Sequence, residues 1–375
     1  MGSNESKSLG AAADLRAPER TADGQPVTPD PYAARAIGLE NYGNTCYINS
    51  VMQLLFSCRA LRVRLIEMFE STYQLKCPSA DEETTLWRLS ELFYSMHNAT
   101  KKRLVIGPQQ FVVKVKRDNA LFANSLQHDA HEFAVFLLNG LIEAERKLMQ
   151  LQATEKSPIQ QIFEGRFASE TFCLECETKT VRHEPFLDLS VDIEANASLF
   201  RCIETFSMAE FLVGADKFRC NACAAQTCAR RSLRVDQLST TLIVHLKRFK
   251  YVDDRHKKLS WHVAIPFELR FPSVERALSQ SGGNVSAGPD GPAATPPPAP
   301  IFRLSGFVIH QGVGPNLGHY VTVVRHPNGW RRFDDDVVSE IHERDVQMLF
   351  GVPLATEGST TSTAYILLYE RIATL

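Results

Sequence analysis

The chain has 375 residues, of which 44% are hydrophobic and 22% charged, and its formal net charge is −2. That balance is typical of a soluble globular protein. The charge argues against a nucleic-acid surface, and no apolar run reaches the roughly 20 residues that a membrane span needs. Because the N-terminus lacks an apolar signal region, we expect reduced thiols and a cytoplasmic, possibly also nuclear, protein.

Two segments lack the apolar period of a packed element. Residues 1–35 are rich in Ala, Gly, Pro and charge, which predicts a disordered tail. Residues 279–300 are mostly Gly, Ser, Ala and Pro and predict a disordered insertion. Within the tail, Gly2 and Ser6 fit the N-myristoylation pattern, although an unmodified tail is the alternative. One acyl chain would give at most weak, lipid-anchored membrane association.

Up to about residue 150 the apolar pattern predicts helices. We expect Asn44 or Thr45 to cap a helix that begins near Cys46. The spacing of apolar residues over 84–97 predicts another helix. Asp129 and Glu132 have the spacing of a capping box at the start of a third.

After about residue 160 the period shortens to two, which predicts strands. Residues 186–193 alternate apolar and polar side chains, as in a half-buried strand. The apolar run 242–246 indicates a more fully buried strand. Further strands are expected at 302–310, 320–325 and 365–369.

Cys46 is the first candidate for chemistry. At a helix N-terminus, the dipole and the unpaired N–H groups would stabilise a thiolate. The same donors could hold the oxyanion of an attacked carbonyl, and Asn41 could swing its amide into that hole. A lone free Cys is more often a small buried apolar residue, so this position alone does not identify a nucleophile.

His319 and the acidic run 334–336 could complete a catalytic set. Gly318 would let a substrate backbone pass close to His319. A carboxylate in this run, which includes Asp334 and Asp335, could accept a hydrogen bond from the Nδ1–H of His319. A Cys far upstream of its His and acid is the arrangement of papain-like proteases.

Two Cys-x-x-Cys pairs predict one structural zinc ion, because four thiolates fill its tetrahedral coordination. The ligands would be Cys173, Cys176, Cys220 and Cys223. The long stretch between the pairs predicts a β excursion that folds back on itself. Coincidental pairs and a redox role are the weaker alternatives. A metalloprotease site at His128, His131 and Glu132 is disfavoured, since the spacing differs from His-Glu-x-x-His.

Together these motifs closely resemble the ubiquitin-specific protease family, the papain-like deubiquitinases. The resemblance covers about residues 37–371, and its motifs are the Cys box at 38–47, the run 127–133, the segment 246–249, the His box at 318–321 with 330–337, and the closing strand 365–369. The chain departs from the family pattern at His128, where a second Gln is usual.

The resemblance implies an α+β, papain-like fold with a helical thumb, a β-rich palm and zinc-tipped β fingers at about 160–250. The catalytic domain would span 36–375. The implied triad is Cys46, His319 and Asp334, with Asn41 as oxyanion donor. The implied substrate contacts are Gln127 and Asp129 with the ubiquitin tail, and Gly318 and Tyr320 along a cleft that admits only Gly-Gly.

The implied function is thiol-dependent hydrolysis of isopeptide bonds after the ubiquitin C-terminal glycine. The short core and the run 128–133 look most like a small subgroup that depends on WD-repeat propeller partners. Those partners would bind the fingers and raise activity. Two alternatives stay open: an inactive ubiquitin-binding scaffold, and a protease for another ubiquitin-like modifier.

Overall fold

The computed structural model describes residues 36–73, 83–100, 104–252, 255–271, 300–314, 317–351 and 362–372. The predicted tail, with Gly2, and the predicted insertion apart from Pro300 lie outside these residues. Helices come first and strands second, so the predicted α+β class is confirmed. Within the described ranges, no helix is long and apolar enough to cross a membrane.

The α-helices precede most of the strands. They are α1 Cys46–Ser57, α2 Arg59–Met68, α3 Thr85–His97, α4 Gln109–Asp118, α5 Ala130–Leu148, α6 Pro158–Phe163, α7 Leu199–Phe206 and α8 Glu343–Gln347. A π-helical turn, Phe69–Tyr73, follows α2, and short 3₁₀ turns lie at Gly214–Asp216 and Met348–Phe350.

The strands fall into one large sheet and several small ones. They are β1 Gly38–Leu39, β2 Val105–Ile106, β3 Gly165–Cys173, β4 Lys179–Phe186, β5 Asp188–Asp192, β6 Glu210–Leu212, β7 Phe218–Cys220, β8 Ala225–Thr227, β9 Ala229–Gln237, β10 Thr241–Lys247, β11 Phe249–Val252, β12 Arg255–Lys258, β13 Glu268–Arg270, β14 Ile301–Gly314, β15 Leu317–His326, β16 Gly329–Asp334, β17 Val337–Ile341 and β18 Thr363–Ile372.

The palm sheet has the strand order β17-β16-β15-β14-β18-β10-β5, with β13 also paired to β14. Strands β5 and β10 run parallel, whereas β14 pairs antiparallel with both β15 and β18. The last strand in sequence, β18, therefore lies inside the sheet, between β14 and β10. This order places His319 on β15 and Asp334 at the end of the neighbouring β16.

Both faces of the palm sheet are buried. On β10, Ile243 packs into a core shared with the helices α1 to α6, whereas Leu242 and Val244 pack into a second core with α7. A strand covered on both faces needs apolar residues at nearly every position. The run 242–246 is apolar except at His245 and forms the buried strand that the sequence predicts.

A smaller antiparallel sheet, with the order β4-β3-β9-β6, projects from the palm. Strand β3 ends at Cys173, and the hairpin of β7 and β8 holds Cys220. Seven of the eight residues of β4 are exposed, so this sheet has little core of its own. Between the two cysteine pairs the chain runs through β4, the palm strand β5, helix α7 and β6, so the predicted β excursion is only partly correct.

The helix starts agree in position with the sequence prediction and differ in their caps. Thr84 caps α3 by accepting a hydrogen bond from Trp87 N. Asp129 caps α5 by accepting from the N–H groups of His131 and Glu132. The predicted reciprocal bond from Glu132 is wrong for the helix as described, because this side chain lies exposed at the helix surface.

Arg248 is a buried cation that ties the palm together. It is 0% exposed and donates to backbone carbonyls of Leu259, Trp261, Phe350 and Ala364. These carbonyls lie far apart in the sequence. Burial lowers the pKa of Arg248 to about 9. The guanidinium therefore acts as a hydrogen-bonded cross-link among segments that the ladder does not join.

Candidate active site

The structure brings Cys46 and His319 together from opposite sides of the thumb–palm boundary. Cys46 is the first residue of α1, and α1 packs on β15, which carries His319. Thr322, also on β15, donates a hydrogen bond to Ser50 O of α1 at 2.7 Å. The thiol is 3% exposed. The helix start and the strand therefore form one rigid unit around the sulfur.

Thr45 is the residue before α1, but it does not cap the helix with its side chain. Its hydroxyl accepts from Tyr42 N at 2.9 Å and donates to Asn41 Oδ1 at 3.1 Å. The predicted side-chain cap is therefore wrong, because the hydroxyl folds back onto the preceding loop. This leaves the first turn of α1 without a side-chain acceptor from its own cap.

His319 lies between the sulfur and a carboxylate. Its Nε2 is 2.6 Å from Asp334 Oδ1. Interaction with the Cys46 thiol is the largest cause that raises the pKa of His319 to about 9; Asp334 adds to it and burial opposes it. An imidazolium is therefore favoured between two acceptors.

The ring orientation differs from the prediction. Nε2, not Nδ1, bonds to Asp334. Sequence spacing could not separate the two nitrogens, since either can face a carboxylate in a suitable rotamer. The other oxygen of Asp334 accepts from Arg332 Nη2 at 2.6 Å. Arg332 was not predicted, although it lies two residues from the acid on the same strand.

Asp335 joins the two loops of the site and does not replace Asp334 at His319. Its carboxylate accepts from Asn41 Nδ2 at 2.7 Å and from Asn49 Nδ2 at 2.8 Å. The Asn41 amide is therefore held by Asp335, which fixes it beside the start of α1. Asn49 was not predicted; a polar residue on the buried face of an apolar helix was the available signal.

Hydrogen bonds and packing tie the predicted substrate contacts to neighbouring elements. Gly318 N donates to Gln127 Oε1 at 3.1 Å, and Asp129 Oδ2 accepts from Tyr365 O–H at 2.5 Å. Tyr320 is 1% exposed and packs against Tyr365, so its side chain lies below the surface. Successive residues of a strand face opposite sides, which sends Tyr320 into the core.

A second polar cluster joins α5 to the palm sheet. His131 Nε2 is 3.0 Å from Asp188 Oδ2, and the His131 ring stacks on His245 with 3.7 Å between centroids and 12° between planes. The lone pairs of imidazoles lie in the ring planes, so those of stacked rings run side by side and do not converge on one ion. The cluster fits a hydrogen-bonded junction better than a metal site.

The four predicted zinc ligands converge at the end of the small sheet. Their sulfurs lie within 4.8 Å of one another. Cys176 and Cys220 Sγ are 3.6 Å apart, and Cys173 and Cys223 Sγ are 4.0 Å apart. Tetrahedral bonds of about 2.3 Å to zinc put sulfurs roughly 3.8 Å apart, so the group fits such an ion. With four protein ligands, the ion would have a structural role.

The fold and this arrangement of thiol, imidazole and carboxylate define the class of cysteine hydrolases. The family model described as ubiquitin carboxyl-terminal hydrolase matches residues 37–369. The chain therefore belongs to the ubiquitin carboxyl-terminal hydrolase family, in its ubiquitin-specific protease branch, and is a cysteine-type deubiquitinase. The predicted family, fold and enzyme class are confirmed.

Two relatives and one solved assembly illustrate the similarity. Ubiquitin carboxyl-terminal hydrolase 4 of Arabidopsis thaliana is 37% identical over an alignment 375 positions long. The alignment covers 92% of this chain and 95% of the relative. Ubiquitin carboxyl-terminal hydrolase 12 of Salmo salar is 36% identical over 356 residues, 89% of each chain. A chain of the SAGA Ubp8/Sgf11/Sus1/Sgf73 DUB module bound to ubiquitin aldehyde shares the fold, with a TM-score of 0.71 and 22% identity over 93% of this chain and 72% of that one.

Proposed function

We propose that this protein hydrolyses the isopeptide bond between the C-terminal glycine of ubiquitin and a substrate lysine, with Cys46 as nucleophile. The observation that carries the proposal is the placement of Cys46 at the start of α1, of His319 on the strand against which α1 packs, and of Asp334 2.6 Å from the His319 ring. These three residues come from segments far apart in the sequence. A buried thiol with no chemical role would not need an imidazole and a carboxylate aligned behind it.

The reaction needs a thiolate first and a proton donor second. His319 takes the Cys46 proton on the nitrogen facing the sulfur, and Asp334 stabilises the resulting imidazolium. The sulfur then attacks the glycine carbonyl carbon, and the N-terminal N–H groups of α1 hold the oxyanion, with Asn41 beside them. His319 returns its proton to the lysine nitrogen as the C–N bond breaks. Water, deprotonated by His319, then cleaves the thioester.

The approach to Cys46 suits a tail without side chains. Gly318 precedes His319 and is exposed, and Gln127 holds its N–H. A Cβ on Gly318 would lie 2.0 Å from Gln311 O, so no larger residue fits there. Asp129 caps α5 and accepts a hydrogen bond from Tyr365, which fixes its carboxylate at the start of that helix. We assign these three residues to the Gly-Gly tail of ubiquitin.

Zinc would hold the tip of the small β4-β3-β9-β6 sheet and take no part in bond cleavage. Its four ligands would be the converging cysteines described above. This sheet is separate from the palm sheet and carries the cysteine cluster near its end. We assign the finger role to this sheet.

Partners and location follow from the sequence resemblance alone. We propose that WD-repeat proteins bind the finger sheet and raise activity. We also propose a cytoplasmic, possibly nuclear, protein, with acylation of Gly2 as a route to weak membrane association. Ubiquitin release measured with and without candidate propeller proteins tests the first proposal, and mass spectrometry of the N-terminal peptide tests the last.

The direct test is a ubiquitin carrying an electrophile at its C-terminus. We expect covalent labelling of the full chain at Cys46, and none in Cys46→Ala, which should still bind ubiquitin. Cys58→Ala is the matched control, because Cys58 is fully buried and burial raises the pKa of its thiol to about 12. It should label like the wild type.

The outcomes separate the competing functions. Absence of labelling in the wild type, even with a propeller partner, would indicate a ubiquitin-binding scaffold. Preferred labelling by another ubiquitin-like modifier in competition would redirect the substrate assignment. Release of a fluorophore from ubiquitin by Cys46→Ala would contradict the nucleophile assignment.

A further inference from the structure

The strand opposite His319 is distorted where it passes the catalytic ring. Gln311 on β14 pairs with His319, and the register shifts between Gln311 and Gly314. Within this bulge Gly312 adopts a φ of +129°. A bulge leaves backbone groups outside the regular ladder. The backbone carbonyls in this bulge need other hydrogen-bond partners, and the placement of His319 therefore depends on those partners.

Lys258 holds these carbonyls. This residue ends β12, which pairs only with β11 among the described strands and so stands outside the palm ladder. Its Nζ lies 2.9 Å from His310 O, 2.9 Å from Gly312 O and 2.9 Å from His310 Nδ1. An ammonium has three N–H donors, and these acceptors match them in number and distance. One side chain thus contacts the residue before the register shift, His310, and a residue within it, Gly312.

The ring of His310 extends this hold to the residue before His319. His310 is 0% exposed, and burial is the main cause that lowers its pKa to about 3, so the ring is neutral. Its Nδ1 accepts from Lys258, which places the ring proton on Nε2. A Cβ on Gly318 would lie 2.9 Å from that Nε2. The Lys258 ammonium therefore contacts the buried His310 ring, and that ring lies next to Gly318.

The surroundings of Lys258 are those of an internal cation. Burial, with the Arg248 guanidinium as the second cause, lowers the pKa of Lys258 to about 7. The charged groups that affect this pair are Arg248, from the palm interior, and His319, whose charge also lowers the pKa of His310. An ammonium kept among such neighbours costs stability unless its hydrogen bonds compensate.

We propose that Lys258 is a positioning residue for the reaction: its ammonium fixes the bulge at 310–312 and, through His310 and Gly318, the placement of His319 beside Cys46. The inference rests on the proposed deubiquitinase chemistry. Lys258 touches neither the thiol nor the substrate in this arrangement; it acts through the imidazole.

The first test is Lys258→Met, which removes the N–H donors and keeps the aliphatic stem. A catalytic group displaced by about 1 Å can cost about 100-fold in rate. We expect kcat for a ubiquitin C-terminal fluorophore substrate to fall about 10- to 100-fold while KM stays within about threefold, because the extended ubiquitin-binding surface is unchanged. Lys257→Met, at the neighbouring exposed position, should keep the wild-type values.

Labelling with the electrophilic ubiquitin probe separates positioning from misfolding. A misfolded fraction lowers the amplitude of labelling and leaves the rate of the remaining molecules unchanged. The proposal requires a lower rate in the labelled fraction. A wild-type labelling rate in Lys258→Met, whatever its amplitude, would overturn it.

Two further variants complete the test. Lys258→Arg keeps the charge and the donors and should recover at least about a third of the wild-type rate; equal loss in the Met and Arg variants would overturn the role of the N–H donors. If Lys258→Met gives no soluble protein, Lys258→Gln replaces it, since its shorter amide cannot span both carbonyls. An inactive wild type would defeat the proposed function, whereas an active wild type with unaffected variants defeats this inference alone.

Discussion

Cys46 begins a helix that packs against the strand of His319, and the sulfur affects the pKa of the imidazole. The pKa of His319 is raised to about 9 from 6.5, first by the bond with Cys46. The charged imidazole therefore persists above neutral pH. The pair is stable as an imidazolium beside a sulfur that can carry negative charge.

This shift predicts an alkaline limb in the activity profile. Because folding raises the pKa of His319, the charged imidazole stabilises the folded protein fully below the unfolded value near 6.5. This stabilisation is lost as pH rises to about 9. We expect kcat/KM for ubiquitin hydrolysis to decline as pH rises through about 9. Initial rates across neutral and alkaline pH would measure this.

The Cys46→Ala variant tests the cause of the raised His319 pKa. In Cys46→Ala the largest cause is removed, so an NMR titration should show a lower pKa for the His319 ring than in the wild type. An unchanged His319 pKa in that variant would show that the sulfur is not the cause of the shift.

Residue identities at the site could be predicted, but orientations could not. The motifs around Cys46, His319 and Asp334 name the chemical groups, and the structure brings those groups together. The sequence does not specify which imidazole nitrogen faces the acid, because that depends on a side-chain rotamer. The burial of the Tyr320 side chain was predictable in principle, since the period of two already places it on the face opposite His319.

At the scale of elements, the short strand β1 supports the turn that carries the acidic residues. Leu39 N donates to Asp335 O at 2.9 Å. A Cβ on Gly38 would lie 2.4 Å from Asp336 O, and that atom is backbone. The turn cannot yield without moving Asp334 and Asp335 away from their partners.

Gly38→Ala should therefore impair the site from outside it. We expect kcat/KM to fall about tenfold or more and the free energy of unfolding to fall by about 1–3 kcal/mol, as overpacking against fixed backbone does. Gly140→Ala is the control, because a Cβ on Gly140 in α5 meets nothing within 4 Å. It should keep full activity and gain up to about 1 kcal/mol from helix propensity. Wild-type activity in Gly38→Ala would contradict this role for β1.

Element types were predictable where one periodicity dominates, and element details were not. The helix over 84–97 and the strand over 242–246 follow from side-chain spacing, and α3 and β10 confirm them. The bulge in β14 and the folded-back Thr45 depend on hydrogen bonds to residues far away in sequence. Local patterns carry no information on such contacts.

For the whole molecule, the finger sheet depends on its proposed metal more than the palm does. The palm has two apolar cores, whereas β4 is exposed along almost its whole length. Where apolar burial is small, metal binding supplies much of the folding free energy. We therefore expect the tip of this sheet to lose its order when a ligand is removed.

Cys223→Ser tests this expectation. Elemental analysis should find one zinc per wild-type chain and a clear loss in the variant, with a lower midpoint of thermal unfolding. Cys228→Ser is the matched control, because Cys228 lies close in sequence but outside the four-sulfur group, and it should retain zinc. Equal zinc content in both variants would contradict the ligand assignment.

The overall class was predictable, whereas the strand order was not. The change from helical to strand periodicity near residue 160 predicts α+β, and the resemblance adds thumb, palm and fingers. Neither indicates that β18 would lie between β14 and β10. Strand order depends on long-range pairing, for which Val308 with Ile366 and Val244 with Leu367 are examples.

The central place of β18 has a consequence for protein synthesis. Strands β10 and β14 leave the ribosome well before the strand that joins them, so their facing edges stay open until residues 363–372 emerge. Likewise, Arg248 can donate its hydrogen bond to the carbonyl of Ala364 only after that residue has been synthesised. Exposed strand edges attract other chains. A message truncated before codon 363 would therefore yield a nascent chain suited to chaperone capture or degradation instead of a shortened enzyme.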